Sequence, residues 1–370
     1  MNGRQKPDYI LLICTFFLVL FGFLMVFSAT TVESLQSGDP TYYLKKQLLY
    51  VVLGFFVLFI GYKIEYLNYR RYSAGLLGAS ALILLMVFVP GLGRSAGGAA
   101  RWIDLGLFSF QPSEVVKIAL ILYLADALSR KGEKIRLFWS GLFPLLCVVG
   151  FFCALIMGQP DLGTVIVIFV NSIFMMFLAG ARISHILALL PPAVLGVLTL
   201  SFLSPYRWRR IIAFIDPWKD PLGTGFHIIQ SLIAIGSGGI LGFGAGNSRQ
   251  KFLYLPEQYT DFIFSIVCEE LGFIGAVLLI GLFVLFIARA FRICRFAPDN
   301  FSRLIAGGLA GYIGLQAFVN MAVATGSLPT TGIPLPFISY GGTSLMITLF
   351  SVGIMLNIST YKRQADEKEH

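Results

Sequence analysis

Ten stretches of this chain are apolar for long enough to cross about 30 Å of hydrocarbon, and that recurrence limits the fold more than any other feature. They fall at 9–30, 44–62, 72–90, 112–128, 141–157, 163–180, 185–203, 261–288, 302–325 and 338–359. None alternates apolar with polar residues as a half-buried strand does, so each is read as a helix that satisfies its own backbone. Hydrophobic residues make up 57% of the chain and charged residues 13%, which excludes an ordinary soluble domain. The expectation is an all-α polytopic membrane protein of about ten transmembrane helices, forming one integral membrane domain over 1–370.

Lysine and arginine set the orientation. With the N-terminus inside, the inward segments hold 17 of the 28 basic residues, among them Arg4, Lys6, Arg130, Arg289, Arg292 and Lys362. The short outward loops hold only Lys45, Lys46, Arg94 and Arg101. Both termini are therefore expected in the cytoplasm, with residues 360–370 as a cytoplasmic tail. A large extracytoplasmic loop, 204–259, joins the seventh and eighth helices, and its apolar Phe226–Ile235 stretch reads as an interfacial helix. The net charge of +9 is then topological and does not point to nucleic acid. The first span, behind Arg4 and Lys6, reads as an uncleaved anchor. Five cysteines and three histidines show no metal-ligand spacing, so no cofactor is expected and no ligand cluster marks a divalent-cation site.

The chemistry-bearing residues gather on the outward side. Asp261 ends the long loop and opens the eighth span; a carboxylate at a membrane boundary needs a partner or a task. Its loop carries Arg207, Arg209, Arg210, Lys219, Arg249 and Lys251, which suits work on an anionic, membrane-borne substrate. The positive end of a helix favours an ionised carboxylate and weakens it as a base. A compensating carboxylate is sought in Glu257 or in Glu269, eight residues on and about 80° round the helix. Glu270 falls on the opposite face, toward another helix.

Glu114 and Lys117 share a face of the fourth span. They are either a mutually neutralising pair or a cation held below headgroup level to meet a pyrophosphate. Asp161, in Gln159-Pro160-Asp161-Leu162-Gly163-Thr164, is either a helix cap or a site residue. The glycine-rich Gly91–Phe110 loop, with Arg94, Arg101 and Trp102, is either a connector or a phosphate-approaching loop. Three prolines in 329–336 resist simple helix, and such backbone at membrane depth must line a cavity or be buried in protein.

Four segments in register resemble one family: Gln111-Pro112-Ser113-Glu114, Gln159–Thr164, Leu255–Ile263 and Leu335-Pro336-Phe337-Ile338-Ser339-Tyr340-Gly341-Gly342. From about Asp8 to Ser359 the chain looks like the SEDS family (shape, elongation, division and sporulation). Trp218–Phe226 and Ser248–Lys251 are closer to its FtsW-like division and sporulation branch.

The resemblance implies a peptidoglycan glycosyltransferase of the bacterial cytoplasmic membrane. Such an enzyme polymerises lipid II outside that membrane, at the division septum. It also implies partners: lipid II, the nascent glycan, a class B penicillin-binding transpeptidase and other divisome proteins. Asp261 stands at the family's catalytic position. Arg101, Glu114, Lys117, Asp161, Arg207, Arg210, Gln258 and Ser339 are the substrate-binding candidates, with Glu269 behind them. The rival readings are a flippase for the same lipid and a scaffold without catalysis. Transporters built from matched halves would pair the 204–259 loop with a counterpart that the first half lacks.

Overall fold

A computed structural model of the chain describes residues 5–36, 41–89, 93–96, 99–104, 109–248 and 259–361. Three helices come first: α1 (Tyr9–Gln36), α2 (Tyr42–Lys63) and α3 (Tyr66–Met86). A small antiparallel sheet follows, β1 (Gly93–Ala96), β2 (Ala99–Asp104) and β3 (Ser109–Phe110), in the order β1-β2-β3. Then come α4 (Pro112–Lys131), α5 (Phe143–Met157, preceded by a π turn from Phe138), α6 (Leu162–Leu178) and α7 (Ile183–Phe202). The long loop holds α8 (Pro205–Ile215) and α9 (Phe226–Ser237), and the chain closes with α10 (Ile263–Arg295), α11 (Asn300–Ala324) and α12 (Gly342–Ser359).

Each expected span is occupied by a helix. Seven are long and apolar enough to cross a membrane by length and composition. The remaining three are α3, which opens on Tyr66-Leu67-Asn68-Tyr69-Arg70-Arg71, the charge-bearing α4, and the 17-residue α6. Pro112 starts α4 at its first turn, where the missing N–H costs nothing.

The sheet corrects the reading of 91–110 as strand-free. Its strands have four, six and two residues, too short for alternation to register. Ala96 pairs with Ala99, which closes the β1–β2 ladder. The third helix also lies about six residues earlier than the 72–90 stretch, because Tyr66 and Tyr69 are buried despite the arginines beside them.

Helix α11 is buried along most of its length, whereas α7 buries only Ser201 and faces outward. Around α11 pack α4, α6 and α10, and α12 lies along α2. There the backbones nearly touch: a Cβ on Gly353 would sit 2.2 Å from the Leu58 carbonyl oxygen. Small residues at such crossings are the usual means of close helix packing in lipid.

Helix α10 is broken at Gly272 (φ 65°, ψ −164°). A break strands backbone groups that lipid cannot satisfy; here the segment after α9 takes them. Phe243 and Gly244 donate to the Glu269 and Glu270 carbonyls at 3.0 and 2.9 Å. Phe273 and Ile274 donate back to Gly239 and Ile240 at 2.9 and 3.2 Å. A Cβ on Gly272 would meet the Gly242 nitrogen at 2.4 Å, in a backbone region that is nearly glycine-only. Gly272→Ala is therefore expected to cost about 3 kcal/mol or more, summing strain and overpacking. Denaturant or thermal unfolding of the purified protein in detergent reads this directly; an unchanged midpoint would show that the splice is loose.

Candidate active site

Asp261 lies half-buried in the turn Tyr259–Phe262 that leads into α10. Its turn is fastened from two sides. Asn320 on α11, 1% exposed, donates through its amide nitrogen to the Asp261 carbonyl and to the Ile333 carbonyl, both at 2.8 Å. Ser339 donates to the Thr260 carbonyl at 2.6 Å and accepts from the Leu335 N–H at 2.7 Å. The Tyr340 N–H donates to the Tyr259 carbonyl at 2.8 Å. One turn of helix below Asn320, Gln316 donates to the Pro334 carbonyl at 3.1 Å. The proline-rich 329–336 segment thus avoids helix and still has buried carbonyls answered, as irregular backbone in a membrane protein must.

The same segment brings other candidates to Asp261. Gly332 passes so close that a Cβ there would lie 3.7 Å from Asp261 Oδ2, and one on neighbouring Gly163 would lie 2.6 Å from the Thr331 carbonyl. Asp161 stands two residues before Gly163. Its two oxygens accept from the Thr164 N–H at 3.1 Å and hydroxyl at 2.9 Å, which caps α6. Arg210 on α8 donates to the Thr330 carbonyl at 2.9 Å, and its guanidinium lies 4.6 Å from the Tyr206 ring. Arg101 on β2 donates to the Gln159 and Pro160 carbonyls at 3.0 and 2.5 Å, so the sheet leans on the start of α6. A guanidinium has five N–H donors, so both arginines keep donors beyond these bonds.

The remaining described candidates are held by other contacts. Lys117 Nζ lies 2.6 Å from Glu114 Oε1, with the residues 4% and 2% exposed. The Tyr312 hydroxyl donates to the other Glu114 oxygen at 3.2 Å, and the ammonium lies 5.0 Å from the Tyr312 ring centre. This is a neutralised interior pair and does not present a cation to solvent. Arg207 donates to the Leu200 carbonyl at 3.1 Å, toward the end of α7. Glu269 accepts from the Ser248 hydroxyl, which ties it to the loop segment spliced onto α10. Glu270 accepts from Ser28 on α1 at 2.5 Å, the helix contact expected of its face. Gln258 and Glu257 lie outside the described residues.

Sequence reading missed Asn320, Gln316 and Tyr43. The two amides stand four apart in an apolar span, a spacing that puts them on one face and is costly in lipid unless it serves the interior. Tyr43, at the start of α2, meets Tyr259 and Tyr340 with ring centres 5.5 Å away in each case, walling the Asp261 turn with aromatic surface. Asn320→Ala strands two buried carbonyls at about 1–3 kcal/mol each. It is expected to lower turnover at least tenfold in protein that still elutes as a single folded species. Turnover that falls only in proportion to folded protein would reduce Asn320 to a stabilising residue.

The sequence signature of the FtsW/RodA/SpoVE family, described as cell cycle protein, matches residues 8–364. A relative from Geobacter sp. strain M18, named probable peptidoglycan glycosyltransferase FtsW, is 45% identical over 366 residues, covering 99% of this chain and all of the relative. Stage V sporulation protein E of Bacillus subtilis is 44% identical over 361 residues, covering 97% and 99%. Among solved structures, a chain from a peptidoglycan synthase complex superposes with a TM-score of 0.80 at 36% identity, covering 97% of this chain and 99% of that one. Rod shape determining protein RodA of Thermus thermophilus gives 0.72 at 31%, covering 96% and 98%. With nearly the whole chain matched, at these identities and with this fold, the protein belongs to the FtsW/RodA/SpoVE family of cell cycle proteins.

Proposed function

We propose that this protein is a peptidoglycan glycosyltransferase that polymerises lipid II on the outer face of the bacterial cytoplasmic membrane, with Asp261 as general base. The observation that carries this reading is the Asp261 turn, held by Asn320 and Ser339 at the mouth of the helix bundle with a carboxylate oxygen facing Gly332. The naming of its full-length relatives as FtsW supports it. The basic-residue distribution supports ten spans with both termini in the cytoplasm, which puts Asp261 outside.

In this mechanism Asp261 takes the proton from the acceptor sugar's 4-hydroxyl as that oxygen attacks the donor's anomeric carbon. The bond to the polyprenyl pyrophosphate breaks, and the leaving group departs with the electron pair. Charge building on the pyrophosphate is met by the spare donors of Arg101 and Arg210, fixed beforehand by their carbonyl contacts. Arginine suits the task through its paired donors. The Glu114–Lys117 pair acts by holding α4 to α11. Activation is already present in the lipid-linked donor, so the scheme uses no nucleotide. A class B penicillin-binding transpeptidase and other divisome proteins are the proposed partners, with the septum as the place of work; the relative solved within a peptidoglycan synthase complex supports the pairing.

The test is the full-length protein with its transpeptidase, given labelled lipid II and resolved on a gel. A ladder of glycan products supports the polymerase. Lipid crossing a vesicle bilayer with no ladder would favour a flippase.

A further inference from the structure

At the end of the bundle opposite Asp261, a cavity of about 490 Å³ opens between the start of α1, the last turns of α10 and the end of α12. Its wall is built. The Gln5 N–H donates to the Thr360 carbonyl at 2.8 Å, and the Asp8 N–H to the Ser359 hydroxyl at 3.0 Å, which straps the N-terminal segment across the foot of α12. Asp8 also caps α1 by accepting from the Leu11 N–H at 3.0 Å.

Among the described residues, the charges lining the cavity do not cancel. Arg289 is accounted for by Asp8, with nitrogen–oxygen distances of 2.6 and 3.3 Å. Lys6 and Arg292 line the same space, and among the described residues neither has a carboxylate within ion-pair distance. Beside these cations the rim is largely apolar: Tyr9, Ile10 and Phe296 are 52%, 44% and 54% exposed, with the Arg292 guanidinium 5.9 Å from the Phe296 ring centre. That rim runs on into exposed Ile13, Phe16 and Phe17 of α1 and Leu285 of α10, the side chains that meet acyl chains in a helix of this kind. A ligand that fills the cavity must therefore carry negative charge at one end and hydrocarbon at the other, at the depth where the spans end.

We infer that this cavity binds the headgroup of an anionic phospholipid, its phosphate between Lys6 and Arg292 and an acyl chain along Tyr9, Ile10 and Phe296. Basic pockets between helix ends are suited to such headgroups. A free phosphate ion would leave the hydrocarbon rim unused, and a zwitterionic lipid brings its own cation to a site that already has two in excess. The leaflet, inner in this reading, rests on the orientation proposed above; the binding does not.

The experiment uses the full-length protein in uncharged detergent, titrated with dioleoylphosphatidylglycerol or dioleoylphosphatidylcholine and read by native mass spectrometry and thermal shift. The expected result is saturable 1:1 binding of the glycerol lipid, a raised Tm, and neither effect with the choline lipid. The double variant Lys6→Ala/Arg292→Ala should bind about 30-fold more weakly, from about 1 kcal/mol per basic residue at 1.4 kcal/mol per tenfold. Lys6→Arg/Arg292→Lys, which keeps both charges, should bind as the wild type does. Equal binding of the two lipids by wild type would overturn the inference without recourse to any variant. So would an undiminished affinity in the alanine variant, an equal response to inorganic phosphate alone, or binding that appears only after residues 362–370 are removed. Labelling of Lys6→Cys in intact cells reports the leaflet separately, so an error in orientation is told apart from an error in the site.

Discussion

Asp261→Asn is expected to abolish glycan polymerisation while leaving expression, fold and association with the transpeptidase intact. Asparagine nearly matches aspartate in shape and cannot accept the acceptor's proton. Loss of a general base costs typically about 10²–10⁴ in rate, enough to erase a ladder on a gel. The fold should survive because the surrounding structure holds the backbone at this position: Asn320 donates to the residue 261 carbonyl, and Ser339 to the carbonyl before it. Neither bond involves the side chain that is changed. The measurement is glycan length and yield from labelled lipid II, with unfolding midpoint and co-purification of the transpeptidase as controls. A full-length ladder from the variant would remove Asp261 from the chemistry, and with it the assignment of this turn as the reaction centre.

Splitting the Glu114–Lys117 pair should produce the largest loss of stability outside that turn. Each partner is almost wholly enclosed, and the Tyr312 hydroxyl is the further contact on the carboxylate. Removing one member of such a pair leaves an uncompensated charge and costs about 3–5 kcal/mol, whereas replacing both with apolar residues of similar volume is often neutral or stabilising. Lys117→Met and Glu114→Met should thus each depress the unfolding midpoint severely, and the double Met variant should recover most of it. The coupling energy from that cycle measures the interaction itself. Polymerisation should follow the folded fraction throughout. Single variants that fold fully and fail to polymerise would instead mean that the ammonium works on the substrate.

The helical membrane fold was legible because lipid forces runs of apolar residues that few other folds require. The sheet was not, since strands of four, six and two residues leave no period to detect. Helix α3 was displaced because its first turn buries tyrosines just before a pair of arginines, and hydropathy averages over both. Asp261 and Asp161 stood out as charges at the starts of spans and Arg101 and Arg210 as loop cations; the structure sets Asp261 and Arg210 against 330–332 and Arg101 against the start of α6 beside Asp161. Glu269 followed the geometry of an ideal helix, but its partner is Ser248, from a segment whose approach only the three-dimensional break explains. Asn320 and Gln316 carry no charge, and without knowing what crossed above them they read as ordinary polar residues in a helix. Their role depends on a pairing between α11 and a prolyl segment, which no local pattern announces.

The splice at Gly272 has a mechanical consequence. A continuous rod would carry any tilt or twist applied at its C-terminal end straight to the acid at its N-terminal end. Here the first piece of α10, residues 263–271, is stitched main chain to main chain onto residues 243 and 244 after α9, while the second piece is bonded to residues 239 and 240 of the same segment. The position of Asp261 is thus set through the segment after α9, to which α10 is bonded on both sides of the break, and through Asn320 of α11.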